Sequence, residues 1–180
     1  MRLFIGIELP WNIKQKLSRL CSGLREARWI KKESMHLTLR FLGNTNSLQV
    51  RDLDETLNKI NEFEFSIEFF GLGCFSSGKK LRSVWIGVAP NSPLIVLQKK
   101  LELAAVDAGF GREHRKFKPH VTLARLNRSR IDLSHYLQEN NLFHTKPFVV
   151  NRITLFESHL SDSGSIYSAI KHYPLRSKIE

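Results

Sequence analysis

The tetrapeptide His36-Leu37-Thr38-Leu39 returns, with one conservative change, as His120-Val121-Thr122-Leu123. In an extended strand, successive side chains alternate between faces. His and Thr two positions apart then share one face, while the apolar residues between them enter a core. Each copy therefore offers an imidazole and a hydroxyl on one exposed stripe. If the two stripes face each other across a cleft, two titratable groups and two hydroxyls meet in one place. The other five histidines, His114, His135, His144, His159 and His172, have no Thr two residues on and read as surface or packing residues.

Hydrophobic spacing places the rest of the chain around these strands. Residues 2–9 form a near-continuous apolar run, read as a buried strand. Pro10 suits the opening turn of a helix over 11–27, where Ile13, Leu17, Leu20 and Leu24 recur at helical spacing. A short strand at 28–30 precedes the first motif strand, 35–42. There strict alternation puts Met35, Leu37, Leu39 and Phe41 on one face and His36, Thr38 and Arg40 on the other. A helix over 47–61 comes next, then strands at 65–72 and 81–88 flanking a turn at Ser76-Ser77-Gly78. A third helix spans 92–108 and is stopped by Gly109 and Gly111. The second motif strand covers 120–126, and a short helix covers 132–140. Strands at 148–160 and 165–175 close the chain around a hairpin loop, Ser161-Asp162-Ser163-Gly164.

Both motif strands are preceded by a helix, and no linker rich in Pro, Gly or Ser divides the chain. The order predicts one bilobal α+β domain over residues 1–180. Its two similar halves, each a sheet with helices outside, meet at a central groove.

Composition narrows the partners. The formal net charge is +11 over 180 residues, a field that attracts polyanions, so nucleic acid or a phosphorylated nucleotide is the expected partner. Cys21 and Cys74 lie far apart without a Cys-x-x-Cys spacing, which argues against a disulfide framework or a zinc knuckle and fits a reducing compartment. No apolar run approaches a membrane span, and the apolar N-terminus is too short for a signal peptide. A cytoplasmic protein is expected, and the absence of a coiled-coil pattern points to a monomer.

Splitting a phosphodiester with water needs a base for the water proton and an acid for the departing alkoxide. Imidazole serves in either state near neutrality. Thr38 and Thr122 can hold the non-bridging phosphate oxygens, and a guanidinium can neutralise developing charge. Arg40 is on the cleft face by parity. Arg125 lies on the opposite face by strict alternation, and reaches the phosphate only if its strand bulges or ends first. Neither motif contains a second His or a carboxylate, which argues against a metal site, and no cofactor is expected. The fingerprints of P-loops, dinucleotide folds and serine-nucleophile elbows are absent. Phe4, Phe41, Trp85 and Phe117 are candidates to stack on a base. Phe41 reads as core, which leaves Phe4 as the chosen one.

The two His-x-Thr motifs, the opening Arg2-Leu3-Phe4-Ile5-Gly6-Ile7-Glu8-Leu9-Pro10, and the stretches His36-Leu37-Thr38-Leu39-Arg40-Phe41-Leu42-Gly43 and Pro119-His120-Val121-Thr122-Leu123-Ala124-Arg125 resemble the RNA 2′,3′-cyclic phosphodiesterases. That family was first named RNA 2′-5′ ligases and belongs to the two-histidine phosphoesterase superfamily. The resemblance spans almost the whole chain, including Leu155-Phe156-Glu157-Ser158. It implies a pseudo-symmetric fold with antiparallel sheets lining the groove. It also implies hydrolysis of 2′,3′-cyclic phosphate ends to 2′-phosphates, with His36 as proton donor, His120 as proton acceptor, and Thr38 and Thr122 on the phosphate. The reverse, 2′-5′ joining of RNA ends, would use the same groups. Alternatives are an RNA-end binding module without useful catalysis, or another superfamily member acting on RNA 3′ ends or a cyclic ADP-ribose phosphate.

Overall fold

The two motif strands lie next to each other in the folded chain. A computed structural model of the chain describes residues 1–126, 131–161 and 164–178. Among these, ten strands and four α-helices occur in the order β1 (Arg2–Glu8), α1 (Trp11–Ser18), β2 (Arg28–Trp29), β3 (His36–Asn44), α2 (Ser47–Leu57), β4 (Phe65–Ile67), β5 (Phe69–Ser77), β6 (Lys80–Val88), α3 (Ser92–Asp107), β7 (His120–Arg125), α4 (Ser134–Glu139), β8 (Phe148–Val150), β9 (Arg152–Ser161) and β10 (Gly164–Pro174).

Two four-stranded sheets, β10-β9-β1-β3 and β2-β7-β6-β5, carry one motif strand each, and β4 with β8 forms a small third sheet. Every pairing within these sheets is antiparallel. The predicted α+β class with two antiparallel sheets is what the chain adopts. The lobes are not sequential halves, however. The first sheet takes β9 and β10 from the C-terminal end, while β2 crosses from the N-terminal end to pair with β7. Local patterning does not encode partner choice between segments so far apart in sequence, so the exchange was invisible in the sequence. One continuous apolar cluster joins Leu3, Ile5 and Leu37 of the first sheet to Val84, Ile86 and Val121 of the second and to Leu97 and Leu101 of α3.

Several boundaries differ from expectation. The helix expected over 11–27 stops at Ser18, because the Leu20 and Cys21 amides bond to carbonyls three residues back (3.0 Å each). Leu20 still enters the core. The strand expected over 65–72 divides into β4 and β5, which serve different sheets. The helix expected to reach residue 61 ends at Leu57. Its start is fixed by a capping box in which Asn46 accepts from the Gln49 amide (2.9 Å) and Gln49 accepts from the Asn46 amide (3.2 Å). Gly109, at φ +85°, closes α3 as expected, with the Phe110 amide returning to the Ala105 carbonyl at 3.0 Å. Asp162 and Ser163 of the expected hairpin loop lie outside the described residues.

Both motif strands carry the same irregularity. In the pairing of β1 with β3, Gly6 faces Thr38 and Ile5 faces Arg40, so Leu39 has no partner. In the pairing of β6 with β7, Trp85 faces Thr122 and Val84 faces Ala124, so Leu123 has no partner. Each skipped residue is a β-bulge, which places two consecutive side chains inside and reverses the parity of the residues beyond it. Leu39 and Arg40 are both buried, as are Leu123 and Ala124.

Candidate active site

Each motif histidine is anchored by the backbone just ahead of it. A 3₁₀ turn at Lys32–Ser34 leads into β3, and His36 Nδ1 lies 2.8 Å from the Ser34 carbonyl oxygen. Pro119 restricts Lys118 to an extended backbone, and His120 Nδ1 lies 2.6 Å from the Lys118 carbonyl oxygen. A carbonyl only accepts, so Nδ1 carries the hydrogen in both rings. In the neutral imidazoles, Nε2 is therefore the basic nitrogen, free to take or return a proton.

Aromatic rings hold both imidazoles. His36 packs on Phe4 (centroids 4.7 Å apart) and against the edge of Tyr167 (4.5 Å), with Phe156 at 6.0 Å. His120 meets Phe75 edge-on at 4.8 Å and Trp85 at 5.9 Å. The Trp85 ring lies over Gly73, where a Cβ would come within 2.3 Å of it, so any side chain there must displace the ring. The Lys118 ammonium sits 4.4 Å from the Trp85 ring.

These surroundings disfavour imidazolium. Burial pushes the His36 pKa down to about 4. The Ser34 carbonyl opposes this, and the positive charges of Lys14, Arg125 and His120 add to it. Burial also lowers the His120 pKa, against the Lys118 carbonyl and helped by Arg125 and Lys118.

A cavity of about 230 Å³ brings the two motifs together: His36, Thr38, His120, Thr122 and Arg125 line it, with Phe41, Phe75, Ser83, Arg115 and Tyr167 among its other walls. The bulge in β7 turns Arg125 onto the His–Thr face, as the sequence condition required. The bulge in β3 does the opposite to Arg40, and the expectation that it shares the face of His36 is corrected: it is absent from this cavity and borders only the larger neighbouring one. Its guanidinium is buried, paired with Glu102 of α3, and donates to the carbonyls of Gly111 and Phe41. Phe41, expected in the core, is instead 54% exposed and lines the cavity.

Phe4 is also corrected as a base-stacking residue. It is 2% exposed and stacks on Phe156 (4.9 Å, 12°), so it supports His36 from beneath. Trp85 is likewise buried, whereas Phe117 lines a larger neighbouring cavity. Tyr167, Phe75, Ser83 and Arg115 escaped sequence reasoning because strand register and loop path place them here. None of the other five histidines lines the cavity. Among the described residues, no group of three or more His, Cys, Asp or Glu side chains is placed to hold a metal ion.

Solved structures share this fold. A crystal structure described as a phosphoesterase matches with a TM-score of 0.81 at 24% identity, over 97% of both chains. That of E. coli LigT complexed with 3′-AMP matches at 0.80 and 24% identity, over 97% of both chains. The LigT-like phosphoesterase family model matches twice, at residues 7–85 and 86–167, with one motif in each match, and the chain belongs to that family. Its relatives include proteins named RNA 2′,3′-cyclic phosphodiesterase from Thermotoga maritima, 31% identical over 94% of this chain and 93% of that one, and from Aeropyrum pernix, 33% identical over 78% and 82%.

Proposed function

We propose that the chain hydrolyses 2′,3′-cyclic phosphate ends of RNA and of nucleotides to 2′-phosphomonoesters. The names of its relatives support this. The observation that carries it is the matched anchoring of His36 and His120 through Nδ1 at one cavity that also holds Thr38, Thr122 and Arg125.

The cyclic phosphate enters as a monoanion. Water attacks phosphorus as His120 Nε2 takes its proton. The P–O3′ bond breaks, and His36 Nε2–H protonates the departing 3′ oxygen. The 2′-phosphate and a free 3′-hydroxyl result. Thr38 and Thr122 donate to the non-bridging oxygens, and Arg125 offsets the charge that grows on them. The free protein resists protonation of His36, so the donor state depends on the substrate. An anion beside the imidazole favours its charged form. Phe41 replaces Phe4 as the residue that offers an exposed aromatic face to the base.

The same groups acting in the same sense would let a 5′-hydroxyl attack phosphorus in place of water, with His120 taking its proton and the 3′ oxygen leaving, and form a 2′-5′ linkage. No additional catalytic group is required.

Incubation with 2′,3′-cyclic AMP and with a cyclic-phosphate-ended oligonucleotide, read by phosphorus NMR, tests the proposal. The 2′-phosphomonoester is expected from both. Binding without turnover would leave an RNA-end binding module, and formation of a 3′-phosphate would reverse the regiochemistry. A cyclic substrate with sulfur in place of the 3′ oxygen tests the direction of proton flow. Thiolate needs little protonation to leave, so it should restore His36→Ala and not His120→Ala.

A further inference from the structure

The catalytic cavity, at about 230 Å³, falls below the roughly 300–1,000 Å³ usual for a small-molecule site. A larger cavity of about 510 Å³ shares Thr38, Phe41, Phe75, Arg115 and His120 with it. A nucleotide whose cyclic phosphate sits between the histidines must extend into this second space. Cations line both compartments, but Arg115 is the one cationic side chain of the described residues that lines the two, apart from His120.

Arg115 is held in place without being used up. It lies in the irregular loop between α3 and β7, and its side chain is 80% exposed. Its Nε and Nη2 donate to the two carboxylate oxygens of Glu113 (3.1 and 2.8 Å), and its backbone amide donates to the same carboxylate (3.0 Å). The Glu113 amide in turn donates to Glu102 (2.9 Å), the carboxylate that pairs with Arg40. Arg40 also holds the Gly111 carbonyl. Thus the buried pair beyond the first motif fixes the loop that leads into the second. A guanidinium has five N–H donors. Glu113 occupies one edge, and the Nη1–Nη2 edge remains, the geometry that grips a phosphate bidentately. Holding the side chain beforehand lowers the entropy lost when a ligand binds.

We propose that Arg115 binds the phosphodiester linking the terminal nucleotide to the one before it, and so makes the site select RNA ends over cyclic mononucleotides. This rests on the assignment of the smaller cavity to the terminal cyclic phosphate. Glu113 is the positioning residue for Arg115: it aims the guanidinium and partly offsets its charge, which restrains capture of free phosphate.

The test uses two dinucleotides that end in a 2′,3′-cyclic phosphate, one with an ordinary phosphodiester between its nucleosides and one with a neutral methylphosphonate. The wild-type protein should prefer the charged linkage in kcat/KM on the order of ten- to a hundredfold, the worth of a charge-assisted contact. Arg115→Gln should bring that ratio close to one, mainly through KM, and Arg115→Lys should recover part of it. A wild-type ratio of one, or a preference unchanged in Arg115→Gln, overturns the inference while leaving the phosphodiesterase intact. Failure of the wild-type protein to open any cyclic phosphate, cyclic AMP included, overturns the phosphodiesterase and this inference with it.

Discussion

Leu39 and Leu123 hold the same position in their strands, each skipped by the register of its neighbour, and this correspondence decides what reaches the groove two residues later. In one strand it is Phe41, in the other Arg125. The same backbone device thus supplies an aromatic face from one strand and a guanidinium from the other to the same cavity. The intervening residues differ in the same way. Ala124 is simply buried, whereas Arg40 reaches Glu102 and the loop before β7.

The two arginines should therefore fail differently. Arg125→Ala is expected to lower kcat/KM about 10²–10³-fold, the range for removing a preorganised charge donor, with little change in stability. Arg40→Met leaves Glu102 without its partner and should destabilise the fold by about 3 kcal/mol in urea unfolding. Loss of kcat at unchanged stability in Arg40→Met would return Arg40 to the phosphate.

The pH dependence of kcat/KM is set by the two imidazoles of the free protein. Turnover needs one protonated and one neutral imidazole. Between the His36 pKa, about 4, and that of His120, itself below its ordinary value, the free pair holds one proton, mostly on His120; the form with that proton on His36, which the donor role needs, is a minor fraction with the same pH dependence. As pH rises through 6.5 the second imidazole is already neutral. We expect kcat/KM to peak below pH 6.5 and to fall on the alkaline side, and kcat to peak at higher pH because bound substrate favours imidazolium. A kcat/KM that stays flat from pH 6 to 8 contradicts this. Excess chelator should change neither profile.

Stability should respond to the same group. His36 is neutral in both states above pH 6.5. Below that, the unfolded chain gains a proton that the folded chain refuses until about pH 4. Stability contributed by neutral His36 is complete above pH 6.5 and lost as pH falls, by about 3 kcal/mol at the acid end. Urea titrations at pH 7 and pH 4 should show a smaller acid loss in His36→Ala than in the wild-type protein. Equal losses in the two proteins would place His36 in open solvent.

Gly73 gives a steric prediction. A methyl group there meets the Trp85 ring at 2.3 Å, and Trp85 packs under His120. Gly73→Ala should cost about 1–3 kcal/mol by overpacking and slow turnover through the displaced imidazole. Unaltered stability and rate would mean that the ring has room to move.

The sequence disclosed the site at the level of repetition and the fold at the level of periodicity. His36, Thr38, His120 and Thr122 could be read directly, because two-residue alternation within each tetrapeptide precedes the bulge. Arg40 and Phe41, just after Leu39, take the opposite faces to those expected, and the face of Arg125, just after Leu123, was left conditional, since a bulge is a property of pairing and not of composition. Phe4 looked available because nothing in Arg2–Glu8 reveals that Phe156, more than a hundred residues away, covers it. Arg115 lay in a loop with no periodicity, and its place is set by the Arg40–Glu102 pair.

The most direct measurement is turnover of 2′,3′-cyclic AMP by the wild-type protein, His36→Ala, His120→Ala and the double variant, monitored by phosphorus NMR in excess chelator. Two imidazoles acting on one phosphorus predict that each single variant loses about 10²–10⁴-fold in kcat, and that the double variant is little slower than the worse single one. Wild-type turnover in either single variant, with the fold intact, would contradict the account.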